Sequence, residues 1–256
     1  MFRERKILWF TLFDYWFEVD NFINSSPALS ILRTNKQLDK KQYSVKICEK
    51  TFLTDLSKTE TEIFSSFKQK SAKYPIKKAE KIGVEVILAL TIETKENFKK
   101  FLSDFAKERN IPAFAKDESL EHYDIFNAYS STKEYLGGIA CIFDSNKEIF
   151  RYKYGATLYK YSENDLLIWK AMQYAKKNGY HYFDMGGVPV KADSSSQGRY
   201  KFKEKFGGEL VDFYTYIKVS GPLRILFFLS KIFVYVFFKN DYNNMISFIN
   251  KYKPIQ

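Results

Sequence analysis

Gly198-Arg199-Tyr200-Lys201-Phe202-Lys203-Glu204-Lys205-Phe206-Gly207-Gly208-Glu209 follows Tyr182-Phe183-Asp184-Met185-Gly186-Gly187 after a short polar loop. Two glycine pairs bracket a compact basic and aromatic element. That spacing predicts a strand, a loop, a short helix and a sharp exit. Glycine serves where φ must be positive or where two backbones approach closely, and Gly207-Gly208 is placed to end a helix running from Tyr200 to Phe206. Phe202 and Phe206, four apart, share one face of that helix and pack inward. Lys201, Lys203 and Lys205 are then left to solvent. On local pattern alone the element is structural.

Outward from it the chain alternates between the two periodicities. Tyr180 to Met185 and Val211 to Val219 read as strands on either side. Tyr135 to Phe143 and Glu148 to Tyr154 flank Asp144-Ser145-Asn146-Lys147, a β-hairpin signal. Ser162-Glu163-Asn164-Asp165 resembles a capping box opening a helix that stops at Gly179. Thr59-Glu60-Thr61-Glu62 is a second such box; its helix is expected to reach about Lys81, with Pro75 breaking or kinking it. Val84 to Ile92 is a near-continuous apolar run, as a buried strand shows. Phe98, Phe101, Leu102 and Phe105 recur at helical spacing. A further helix is expected over Glu118 to Ser130, and a strand over Tyr43 to Leu53. Ile7 to Phe17, apolar and aromatic, reads as a strand or a packed arm. This mixture predicts an α/β (α+β) fold.

Composition bounds the function. The 256 residues are enough for one large domain or two small ones. A net charge of +11 favours anionic partners: nucleic acid, nucleotide phosphates or an anionic membrane face. No lysine or arginine block is dense enough to mark a nucleic-acid site by itself. Two cysteines, Cys48 and Cys141, give no disulfide framework. Cys141, inside an apolar run, reads as a buried thiol. With only His122 and His181, no His/Cys cluster has a zinc spacing, and no metal is expected. Pro222 to Phe238 is apolar but short for a bilayer span and interrupted by Arg224 and Lys231. It reads either as an interfacial helix on an anionic leaflet or as a helix docked on the domain. The N-terminus lacks the pattern of a signal peptide. The expected location is cytoplasmic, peripheral to the inner face of the membrane.

Five segments, in order from Thr51 to Tyr216, carry a resemblance. They are Phe52 to Ser57; Lys73-Tyr74-Pro75 through Lys81; Tyr152-Lys153-Tyr154-Gly155-Ala156; Leu166 to Ala171 with Ala175 to Gly179; and Tyr182 to Gly187 with Tyr200 to Glu209. Together they resemble the FemABX family, aminoacyltransferases that add bridge residues to peptidoglycan precursors, and the wider set of acyltransferases with a GNAT-type fold. The resemblance implies a GNAT-like mixed central sheet flanked by helices, followed by a hydrophobic C-terminal helix. It divides the chain into an N-terminal arm or first-domain fragment (1–42), an acyltransferase domain (43–219) and a hydrophobic, basic tail (220–256). The family's second domain is the part matched, so a missing first domain, or a partner subunit supplying it, is implied. The chain also lacks the Arg/Gln-x-x-Gly-x-Gly/Ala loop after Tyr154, whose backbone N–H groups hold pyrophosphate in acetyl-CoA enzymes of this fold.

What the resemblance implies for chemistry is an amine attacking an activated ester or thioester through a tetrahedral oxyanion. Such a site must bring two reactants together and stabilise developing negative charge. Lys203 is implied as the stabilising ammonium. Tyr152 and Tyr154 are placed at the splayed edge of the central strand, to hydrogen-bond the carbonyl or the amine. Asp184 orients the amine or a lysine, or else caps the following loop. Arg199, Tyr200, Lys201 and Phe202 are candidates for substrate binding. The implied donor is aminoacyl-tRNA, with acyl-CoA or acyl carrier protein as alternatives and no bound cofactor. The implied acceptor is a lipid-linked or nucleotide-linked cell-wall precursor. Two other readings stay open: an N-acyltransferase acting on an amino sugar in surface polysaccharide synthesis, and a non-catalytic remnant that binds a membrane or a partner.

Overall fold

The computed structural model describes residues 2–7, 10–25, 29–109, 114, 119–188 and 194–220. The chain divides into two units, Met1–Cys48 with Phe213–Gln256, and Glu49–Asp212. The first begins with β1 (Phe2–Ile7) antiparallel to β2 (Phe10–Trp16). Helix α1 (Val19–Asn24) returns the chain so that β3 (Leu29–Thr34) lies parallel to β2. The apolar stretch from Ile7 to Phe17 is thus largely a strand. Tyr15, Phe22, Leu32, Leu38, Tyr214 and Tyr216 form the core of this unit. The buried Asp14 pairs with Arg33, whose guanidinium lies 4.8 Å from the Trp16 ring centroid.

β4 (Val45–Asp55) leads into the second unit. The capping box then forms as its residues dictate: Thr59 Oγ1 accepts the Glu62 N–H (3.2 Å) and the Glu62 carboxylate accepts the Thr59 N–H (2.8 Å). Helix α2 (Glu60–Ser66) is short, and a π-helical turn (Gln69–Lys73) connects it to α3 (Tyr74–Lys81). Pro75 lies in the first turn of α3, where its missing N–H has no intrahelical partner to lose. The expected irregularity therefore falls just before it, in the π-helical turn that runs directly into α3.

The remaining elements are β5 (Glu85–Leu88), α4 (Ile92–Arg109), β6 (Asp124–Tyr129), β7 (Tyr135–Phe143), β8 (Ile149–Thr157), α5 (Glu163–Lys177), β9 (Tyr182–Val188), α6 (Ser194–Glu204) and β10 (Glu209–Val219). In the second unit the strand order is β4-β9-β8-β7-β6-β5. All neighbours are antiparallel except β8 and β9, which run parallel with α5 as their crossover. This is the mixed, helix-flanked sheet of a GNAT-like α/β fold. From β10, residues 213–219 group with the first unit and pair antiparallel with β3. The core on one face of the larger sheet joins Phe52, Ile76, Phe150, Leu167, Trp169, Phe183 and Phe206.

Two expectations are corrected. The run from Val84 to Ile92 is not a buried strand. β5 is four residues long at the sheet's edge, with Val86 and Leu88 turned to the core and Glu85 and Ile87 exposed. The helix expected over Glu118 to Ser130 is replaced by β6, which is paired on both edges and covered on both faces. A short apolar run covered on both faces has no periodicity to separate strand from helix. The hydrophobic helix expected at 222–238 lies outside the described residues. Among the described residues no helix is long and apolar enough to cross a membrane.

Candidate active site

β8 and β9 pair only from Ile149–Arg151 against Tyr182–Asp184, although both strands run on. The last pair, Arg151 and Asp184, is a buried salt bridge. Asp184 also accepts hydrogen bonds from the Thr51 hydroxyl and from the Gly186 N–H (2.7 Å). Both carboxylate oxygens are thus engaged by the chain itself, which satisfies a charge that burial would otherwise penalise. Asp184 caps the loop backbone and holds Arg151. Arg151 escaped the sequence reading. Its signal was an arginine inside an apolar strand, with a strand-borne aspartate as its one plausible counter-charge.

Helix α6 brings Lys203 to the point where the β8–β9 pairing ends. Tyr200 meets Phe52 edge-on (centroids 5.3 Å apart) and Phe202 meets Phe206 (5.5 Å), which anchors one face of the helix. Arg199 and Lys201 are exposed. Neither Lys203 nor Lys205, which pairs with Asp165, shares the solvated face expected for all three lysines. Lys203 Nζ donates to the Gly187 carbonyl (2.9 Å). Burial pushes its pKa down to about 7; Arg151 and Arg199 push the same way, against Asp184 and Glu49. Part of its surface still reaches solvent, but protein atoms crowd the ammonium, and the titration follows that crowding. Gly186, at φ +78°, makes room for it: a Cβ there would lie 3.2 Å from Lys203 Nζ and 3.0 Å from the Tyr152 carbonyl oxygen.

The two tyrosines do not act from one edge. A β-bulge at Lys153 pairs Tyr152 with Cys141 but Tyr154 with Ala140. Adjacent residues on β7 face opposite sides, so Tyr152 and Tyr154 do too. Tyr152 packs against the core, its hydroxyl over Gly155, and burial raises its pKa. Tyr154 joins Phe114 (4.7 Å) and Tyr123 (6.3 Å) on the other face, where Lys153 donates to the Tyr123 hydroxyl (2.8 Å). Among the proposed site residues, Lys203, Arg199 and Asp184 are brought together, with Arg151 and Glu49 added. Tyr200 and Phe202 support the helix.

The loop from β8 into α5 is closed by its own acid. Ser162 takes a left-handed φ of 62° and its side chain caps nothing. Instead the fully buried Glu163 carboxylate accepts the N–H groups of Tyr161 (2.8 Å) and Lys160 (3.2 Å). Asp165, two residues on, is also buried and pairs with Lys205. Backbone N–H groups before a helix attract anions; here a carboxylate of the chain fills that role.

A search of curated proteins finds no match. The FemAB family model matches residues 139–218, which span β7 to β10 and include Arg151, Asp184 and Lys203. Among solved structures, FemX aligns with a TM-score of 0.61 and 14% identity, over 88% of this chain and 85% of that one. A DUF2156 domain from Agrobacterium fabrum, ascribed to a lysylphosphatidylglycerol synthetase, aligns at 0.56 and 12%, over 91% and 85%. L-PGS from Bacillus licheniformis aligns at 0.55 and 13%, over 90% and 84%. The alignment with FemX takes in most of that chain rather than one half of it. At such identities the likeness is one of fold. This chain is similar to the FemAB family over residues 139–218 and shares its fold with FemX.

Proposed function

We propose that this chain is an acyltransferase that moves an aminoacyl group from aminoacyl-tRNA to an amine of a lipid-linked cell-wall precursor, forming an amide. One observation carries the reading: a crowded lysine, Lys203, stands where β8 and β9 cease to pair, flanked by Arg151 and Arg199, inside the segment that matches the FemAB family. The acceptor nitrogen attacks the ester carbonyl, and a C–N bond forms as the carbonyl oxygen takes up negative charge. Protonated Lys203 donates to that oxygen, while its contact with Gly187 fixes its direction. The C–O bond to the ribose then breaks, and the proton lost by the amine ends on the departing ribose oxygen.

The β8–α5 loop supports the choice of donor. Glu163 already occupies the N–H groups that a pyrophosphate would need. A CoA thioester would meet negative charge there, whereas an aminoacyl ester presents no pyrophosphate to this loop. The net charge of +11 suits the phosphates of tRNA and of a pyrophosphate-linked precursor. Lysylphosphatidylglycerol, in the name given to one structural relative, suggests a lipid hydroxyl as a further acceptor to test.

The test offers labelled aminoacyl-tRNA and labelled acetyl-CoA separately to the full chain and to Lys203→Met. Acceptors are a lipid-linked precursor, an amino-sugar nucleotide and phosphatidylglycerol vesicles. The expected result is amide formation from tRNA to the precursor, lost at least about a hundredfold in Lys203→Met. Lys203-dependent transfer from CoA to the sugar would replace this reading with the amino-sugar one. Activity indifferent to Lys203 would end the proposed mechanism.

A further inference from the structure

Five of the eight large apolar side chains exposed among the described residues lie within positions 74–92: Tyr74, Ile82, Ile87, Leu90 and Ile92. Leu90 and Ile92 are 83% and 60% exposed, at the tip of the turn from β5 into α4, where polar turn residues are the rule. Ile87 sits on β5, the last strand of its sheet. Ile82 ends α3, just before that strand. Apolar side chains along an open sheet edge invite association unless something covers them.

The charges around this edge say what covers it. Residues 68–100 hold nine lysines against four glutamates. Of the glutamates, Glu80 pairs with Lys170 and Glu85 with Lys133, both lysines from outside the segment. Glu96 lies 3.6 Å from Lys99, and the exposed Glu93 adjoins Ile92 at the start of α4. The exposed Lys78 and Lys81 form no ion pair among the described residues, and Lys81 adjoins Ile82. Exposed apolar side chains at the far end of β5, with unpaired lysines on the helix that enters its near end, match the layering of an anionic leaflet: hydrocarbon beneath, phosphate above.

We propose that the α3–β5–α4 edge is a membrane-docking surface, which inserts Leu90 and Ile92 among the acyl chains of an anionic phospholipid bilayer and sets Lys78 and Lys81 against its phosphates. The proposal rests on the reading that the acceptor is lipid-linked, because docking would bring the protein to where such acceptors reside. It is separate in sequence from the 222–238 segment.

Flotation of the full chain with vesicles of phosphatidylglycerol in phosphatidylcholine, and with phosphatidylcholine alone, tests it. The protein is expected to float with the anionic vesicles and poorly with the neutral ones. Leu90→Ser/Ile92→Ser should weaken that partition about tenfold or more, with an unchanged melting profile. Lys78→Ala/Lys81→Ala should weaken binding to anionic vesicles alone. Wild-type partition by both variants, or no flotation of the native chain, overturns the proposal. So does a native dimer that the serine variant splits without loss of flotation, since the edge would then pair with a second copy. Transfer to a water-soluble acceptor analogue, measured in parallel, should be the same for native and serine variant. Loss of flotation therefore bears on docking alone, and loss of transfer on the catalytic reading.

Discussion

A lysine whose pKa falls on folding opposes folding. Between about 7 and its ordinary 10.5, the unfolded chain holds a proton on Lys203 that the folded chain does not. Stability therefore rises with pH across that window and is lowest below it. Lys203→Met removes the burden. Its melting temperature should exceed the native one by a few degrees at about pH 7 and match it above about pH 10.5; a difference that does not change with pH would contradict the burial described here. The same titration reads the role. If the ammonium stabilises the oxyanion, the single-turnover rate should fall as pH rises past about 7. A rate that climbs instead would make neutral Lys203 a base taking the proton of the amine. Gly186 offers an independent probe. At its φ of +78° a Cβ would press on the Tyr152 carbonyl oxygen at 3.0 Å and on Nζ at 3.2 Å, so one of them must shift. Gly186→Ala should cost about 1–2 kcal/mol in backbone strain and lower kcat by displacing Lys203. Unchanged kcat would show that the position of Nζ is not critical. Lysine at 203 and the aspartate at 184 were legible from the resemblance. Arg151 was not, because a single buried ion pair leaves no periodic mark.

At the scale of elements, what was legible is what residues close in sequence decide. The Thr59 box, the β7–β8 hairpin and the stop of α5 at Gly179 each depend on contacts within a few positions. The hairpin is closed by the Asp144 carboxylate, which accepts the N–H groups of Glu148 (2.7 Å) and Ile149 (3.0 Å). Where the deciding contact is distant, pattern failed. β6 is a strand because β5 and β7 flank it, and Glu163 caps its loop because its own buried carboxylate must find donors. The bulge at Lys153 is the clearest case, since nothing local marks it, yet it sends Tyr152 and Tyr154 to opposite faces. A direct test deletes that residue. Removing Lys153 restores a regular ladder in which Tyr152 keeps Cys141, Tyr154 keeps Ala140 and both keep their faces, so melting should stay cooperative. Lys153→Ala keeps the register and should cost roughly 1 kcal/mol, for the lost bond to Tyr123. Loss of cooperative melting on removal of Lys153 would mean that the bulge does not set the register.

Across the whole molecule, net charge and the mixed fold class could be read in advance, but not the division of the chain. Composition does not change at Cys48 or at Asp212. The first unit is closed by a strand that arrives after the whole of the second, and its core joins Tyr15, Phe22 and Leu32 to Tyr214 and Tyr216 nearly two hundred residues later. The candidate site sits elsewhere: Glu49, Arg151, Asp184, Arg199 and Lys203 all belong to the second unit, which has its own core. Two cores of this kind behave as separate cooperative units when their contacts are mostly internal. Leu32→Ala and Leu167→Ala each empty a fully buried site and should each cost about 2–5 kcal/mol. Amide exchange should separate them. Leu32→Ala is expected to speed exchange in β2, β3 and residues 213–219 while β7 and β8 stay protected, with aminoacyl transfer retained. Leu167→Ala should do the reverse and take the activity with it. Exchange rising equally everywhere in both variants would mean that the two cores melt as one, and that the site near Lys203 depends on the whole chain for its stability.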